Sequence, residues 1–139
     1  MVLGLLSLLA LPALRNARDR TIVTTFTNDI HQFSGAVQAY ATAIGQYPPD
    51  ATPGQADDKL KEYLPVDFME RRTPIGGQWD VDMNGAAGVT AAVGVGNMPN
   101  LDIELLVQID FAIDDGNLVK GDFRYYPFGG GRVYRIIEE

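Results

Sequence analysis

The sequence predicts an α+β fold in which one long N-terminal α-helix is packed by a small antiparallel β-sheet. Two observations support this. Ile22, Phe26, Ile30, Phe33, Val37, Tyr40 and Ile44 recur every three or four residues, which is one apolar stripe of an amphipathic helix. After Gly76 the pattern changes to short β-compatible runs separated by Gly, Pro, Asn and Asp, the residues that punctuate hairpins. A chain of 139 residues, 46% hydrophobic and 21% charged, is one domain with enough apolar material for a core.

From Val2 to Leu14 every residue except Gly4, Ser7 and Pro12 is strongly apolar. A run of thirteen residues falls short of the roughly twenty that a membrane span requires. A signal peptide would carry basic residues before the run and a small-x-small cleavage site after it. Here Arg15, Arg18 and Arg20 follow the run instead, an order that for a complete anchor would hold the folded domain in the cytoplasm. The segment reads as the second half of a longer hydrophobic helix. From Leu3 to Ile44 the helix would extend about 60 Å, interrupted only by Pro12. It is apolar on all sides at first and single-striped later. The later half is thus expected to pack on a small domain and the earlier half to be buried in something else. This divides the chain into residues 1–20, an assembly or membrane half-helix, and residues 21–139, a head that includes the amphipathic half.

Gly45 is placed to cap the helix, and Pro48-Pro49 prevents its resumption. A Pro/Gly-rich loop and a short helical piece around Lys59–Tyr63 follow. Gln78–Met83 and Val89–Val95 read as strands. Pro99-Asn100 followed by Asp102 and Glu104 then gives an N-cap with acids in the first turn, and Leu101, Leu105, Ile109 and Ile113 fall four apart, favouring a helix stopped at Gly116. Ile103, Leu105, Val107, Ile109 and Phe111 also alternate, so a strand competes there. Leu118–Tyr126 and Arg132–Ile137 predict a hairpin joined through Gly129-Gly130-Gly131.

Composition removes most chemistries. The formal net charge is -7, with +2 in residues 1–20 and -9 in the rest, which disfavours nucleic acid. There is no Cys, His31 is the single histidine, and Ser7 and Ser34 are the serines; neither a zinc site nor a Ser-His-Asp triad is suggested. No phosphate-cradling Gly loop precedes a helix. A carboxylate pair is the one catalytic class left, with little to recommend it, so no catalytic or cofactor-binding residue is assigned. His31 is expected at the helix boundary, Trp79 in the core, and Arg71-Arg72 in solvent. Two acidic sets are calcium candidates. Asp80, Asp82, Asn84 and Gly85 match the opening of an EF-hand loop, but its twelfth position is Ala91 where a Glu is required, so the stretch reads first as a strand. Asp110, Asp114, Asp115 and Asp122 surround an Asp-Asp-Gly-Asn turn, whose plainer reading is a helix C-cap and hairpin turn.

A half-apolar, half-amphipathic helix capped by a small head resembles the plan of a type IV pilin subunit. GLLSLLALPAL, with Gly4 and Pro12 eight apart, is similar to the second half of the pilin N-terminal helix, which in that family can unwind locally between such residues. AVQAYATAIGQYPPD resembles the end of that helix in type II secretion pseudopilins. TPIGGQWDVD, IDDGNLVKGDFRYY and GRVYRIIEE resemble a group of prepilin-type proteins. Family members begin with a basic leader, a cleavage-site glycine, an aromatic first residue and a nearby glutamate. No residue here matches these, so leader processing, N-methylation and the glutamate's role are carried to no position. The resemblance implies a pilin-like fold and a non-enzymatic structural subunit of a type IV pilus or a pseudopilus, self-assembling through Val2–Leu14. Its partners would be copies of itself, other pilus or secretion-system subunits, and the inner membrane before assembly. It would reside in an extracellular filament or a periplasmic pseudopilus. A minor tip pilin that binds a secreted substrate or surface ligand is the alternative.

Overall fold

The computed structural model describes the backbone from Val2 to Glu139 and the side chains from Ala13 onward. The side chains of residues 2–12, including the Gly4/Pro12 pair and all of the apolar run before Ala13, lie outside the described residues. Helix α1 runs Val2–Ile44, 43 residues or about 65 Å of rise. There follow α2 (Asp58–Lys61), β1 (Gln78–Met83), β2 (Ala91–Gly96), α3 (Ile103–Ile113), β3 (Phe123–Tyr126) and β4 (Arg132–Glu138). The four strands form one antiparallel sheet in the order β1-β2-β4-β3.

The helix stripe packs on the sheet as its spacing predicts. Phe26, Ile30, Phe33, Val37 and Tyr40 are buried, and Ser34 and Ala36 widen the covered band. Ile22 is only half-buried, and Ile44 is exposed because the last turn overhangs the head. Gly45 ends the helix at φ +89, with its amide donating to the Ala41 carbonyl at 2.8 Å. His31 lies at the exposed edge, as expected, with Nδ1 3.4 Å from Arg135 Nη1.

Alternation in β1 sends Trp79, Val81 and Met83 towards α1 and Asp80 and Asp82 to the opposite face. Trp79 is the centre of the core. Its ring stacks on Phe26 at 5.6 Å and on Phe68 at 5.0 Å, and meets Phe33 edge-on at 5.8 Å. One side chain therefore joins the helix, the sheet and the loop after α2.

Several boundaries differ from the sequence reading. Helix α2 is Asp58–Lys61, shorter and earlier, because Asp57 caps it through the Lys59 amide. Strand β2 starts at Ala91 because Asn84 and Gly88 take positive φ (+52 and +72) and keep the turn open as far as Thr90. Strand β3 starts at Phe123, since Leu118–Asp122 is held in tight turns by side chains of Asp114, Asp115 and Asn117. Helix α3 begins at Ile103 behind the Asp102 cap, whose carboxylate accepts from the Leu105 amide at 3.2 Å. Its buried face is Leu106, Ile109 and Asp110, with Leu105 and Ile113 partly covered and Leu101 exposed, so the helix is rotated from the expected stripe.

Trp79→Ala is expected to cost about 3–5 kcal/mol, the range for removing a buried aromatic side chain. Urea unfolding followed by circular dichroism measures it; a loss below about 1 kcal/mol would contradict the central place of Trp79.

Candidate functional site

Three features of the head and helix carry possible function: a polar network on the outer sheet face, an acidic turn after α3, and the part of α1 that the head leaves bare.

The outer face is built on a glycine. In the ladder Asp80 pairs with Gly94, and Gly94 pairs with Tyr134 on the far side. A Cβ at Gly94 would run into the Val133 carbonyl and come within 2.8 Å of Tyr134 Cα. The bare backbone lets Tyr134 cross β2 and donate its hydroxyl hydrogen bond to Asp80 Oδ2. Arg132 completes the group, with Nη1 3.1 Å from the Tyr134 hydroxyl and 3.6 Å from Asp80 Oδ2. Asp80 Oδ1 is buried without a hydrogen-bond partner.

Asp82 and Asn84 are engaged separately from Asp80. Asp82 accepts from the Ala86 amide at 2.8 Å and the Ala87 amide at 2.9 Å, tying the β1–β2 turn. Asn84 is exposed at φ +52. Gly85 is glycine because a Cβ there would meet Asp82 Oδ1 at 2.5 Å. Thus the spacing that resembles a calcium loop serves hairpin geometry. Asp50, missed in the sequence, accepts from the Met83 amide at 3.0 Å and helps line a cavity of about 340 Å³ with Thr52, Pro53, Asp80, Asp82 and Arg132.

At the second acidic set, carboxylate oxygens of Asp110, Asp114 and Asp115 lie within 4.8 Å of one another. Asp110 is fully buried, while Asp114 and Asp115 are exposed. Asp122 contributes a backbone amide, donating to Asp114 Oδ2 at 2.6 Å, instead of a carboxylate. Asp115 Oδ1 accepts from the Asn117 amide at 2.9 Å, which makes an Asx turn. Burial, reinforced by the neighbouring carboxylates of Asp115 and Asp114, pushes the Asp110 carboxyl up to about 6.

The third feature is the helix beyond the head. From Ala13 to Thr21 every side chain is exposed except half-covered Asp19, and Leu14 shows 66% of its surface. Contact with the core starts at Val23. Among the described residues no helix is long and apolar enough to cross a membrane.

Burial also raises the Asp80 carboxyl, to about 6, and the charges of Asp82 and Asp50 add to it; Tyr134 and Arg132 pull the other way. The folded state consequently holds this proton to a higher pH than the unfolded chain, whose carboxyl titrates near 3.8. The resulting stability is fully present below that lower value and is lost as pH rises through about 6, a loss of up to about 3 kcal/mol. Asp110 acts in the same direction. Asp80→Asn is therefore expected to flatten the fall in unfolding free energy between pH 4.5 and 7 without abolishing it. Urea unfolding across that range checks this; identical slopes in both proteins would contradict it.

No protein-family model matches the sequence, and no curated protein matches it. Among solved structures, the major type IV pilin PilA1 from Clostridium difficile superposes with a TM-score of 0.61 at 16% sequence identity. The match covers 89% of this chain and 98% of that one. Both the α+β class and the long helix on a small antiparallel sheet agree with that likeness. The fold of this chain is that of a type IV pilin.

Proposed function

We propose that the chain is a structural subunit of a type IV pilus-like filament, assembled by side-by-side packing of the N-terminal helices of many copies. The observation that carries this reading is the division of α1. Its C-terminal half forms the core of the head, whereas Ala13–Thr21 projects from it with Leu14 bare. An exposed apolar side chain on a projecting helix gains about 25 cal/mol per Å² when a second helix covers it. The likeness of the fold to that of a major type IV pilin supports the reading.

The filament would lie outside the cell as a pilus or in the periplasm as a secretion pseudopilus, with an inner-membrane pool of subunits before assembly. Its work is mechanical: helices form the shaft and acidic heads its surface. Arg15, Arg18 and Arg20 make no ion pair among the described residues, and acids between Asp57 and Glu70 of an adjacent copy would suit them. Such pairing is weak individually and screened by salt.

Negative-stain microscopy of the purified chain is expected to show uniform fibres. Leu14→Asp should abolish them while leaving the head's thermal unfolding unchanged, because Leu14 does not touch the core. Monodisperse wild-type particles would favour a minor tip subunit, and fibres of Leu14→Asp would contradict assembly through this helix. Raising salt from about 0.05 to 0.5 M should move the assembly midpoint to higher protein concentration; indifference to salt would remove the arginine pairing.

A further inference from the structure

We propose that the outer side of α3 seats the projecting segment Ala13–Thr21 of a neighbouring copy, so that each head grips the helix of another subunit. This rests on the filament reading above and names the surface of the head that it uses. Helix α3 carries two apolar sides. Leu106 and Ile109 face the core, with Leu105 and Ile113 packed against its edge. Ile103, Val107 and Phe111 stand one turn apart along another side and are not part of that core. Ile103 shows 45% of its surface and Phe111 68%, while Val107 between them is half-buried. Apolar side chains on successive turns form the kind of ridge that a second helix packs against.

Phe111 is held in place for this contact. The tip of its ring rests over Gly116, where a Cβ would meet the ring Cζ at 2.5 Å. Gly116 itself takes φ +81, a conformation that glycine adopts at no steric cost. The ring is thus positioned while most of its surface stays open, and little freedom is left to lose when a partner covers it.

Charge selects the occupant. Helix α3 contains no Lys or Arg, and exposed Glu104 stands beside the apolar row with the Asp102 cap before it. A second α3 would set acid against acid. An anionic bilayer or a nucleic acid would be repelled in the same way. The segment Ala13–Thr21 has the opposite character, since Arg15, Arg18 and Arg20 outweigh Asp19. Leu14, Ala17 and Thr21 fall three and four apart on one exposed face, and the two smaller side chains let another helix approach closely. Within one chain the two surfaces do not meet: α1 is a continuous helix, and of this segment only Asp19 is even half-covered. The contact therefore joins separate copies. The acids from Asp57 to Glu70 are interleaved with Lys59 and Lys61, and helix α2 among them is only 4 residues long. They can pair with arginines, but they present no apolar row on successive helical turns.

The chain has no cysteine, so introduced ones report alone. Copies carrying Leu14→Cys are mixed with copies carrying Phe111→Cys or Ile103→Cys, assembled, and treated with a short bismaleimide. The expected product is a dimer whose linked peptides join position 14 to position 103 or 111. Leu14→Cys mixed with Val66→Cys, which lies 84% exposed in the other acidic stretch, should give no such product. Ile103→Ser combined with Phe111→Ser in one chain should raise the concentration for half-assembly at least about tenfold. Thermal unfolding of the head should not move, because neither side chain belongs to the core. Fibres of that double variant at the wild-type concentration, or cross-links to position 66 in place of 103 and 111, would overturn the seat on α3 and leave helix-driven assembly standing. Wild-type chains that form no fibres would overturn the filament reading itself, and the seat with it.

Discussion

The head depends on the contact between one face of α1 and Trp79. Phe26, Phe33 and Phe68 surround the indole at centroid distances of 5.0–5.8 Å. With Trp79 they join three regions: the helix, strand β1 and the loop after α2. The loop also meets β1 through the bridge between Arg72 and Gln78. Phe68 pins it, and the Arg71 guanidinium covers the outer side of the same ring at 5.7 Å. Because the helix and sheet meet at this point, the register of β1 is fixed. A one-residue slip would send Trp79 outward and Asp80 into the apolar layer.

That register has a consequence on the opposite side of the sheet. Once Trp79 faces in, Asp80 must face out, in line with Gly94 and Tyr134 across the ladder. The outer face is not simply wet: Ala87, Val89, Ala92, Tyr134 and Ile136 form a second small cluster over it. Asp80 is therefore buried by the same alternation that centres Trp79. Tyr134 and Arg132 offset part of the cost of that burial, and Gly94 makes their approach physically available. The run Ala91–Gly96 is small along its whole length because β2 is central and covered on both faces.

Several of these features were legible in the residues. The α1 stripe is a local period, so Phe26, Ile30, Phe33, Val37 and Tyr40 declare their face without tertiary knowledge. Gln78–Met83 alternates and has the predicted bounds. Helix α3 was recognisable from its cap signal and its spacing, but its start behind Asp102 and its rotation were not. Leu105 and Leu106 are equally apolar, and only packing against α1 decides between them. The acidic groups were the least legible. Asp80 meets Tyr134 across 54 positions of sequence, a contact that only the strand order creates. Asp110, Asp114, Asp115 and Asp122 look alike as letters, yet one is buried, two face its carboxylate, and the last lends an amide. Asp50 gave no local signal, since its role is to accept an amide 33 positions away.

The arrangement separates folding from association along a single helix. Residues from Val23 onward supply the apolar face that closes the head, and nothing from Ala13 to Thr21 contributes to that closure. Substitutions in the projecting stretch can therefore alter association without entering the core, and core substitutions act on the head before they reach the helix tip. A continuous α-helix links the two halves through hydrogen bonds of one ladder, so the direction in which Leu14 projects is set by how Phe26 and Phe33 sit on Trp79. The aromatic contact that holds the head together thereby also aims the segment through which copies would meet.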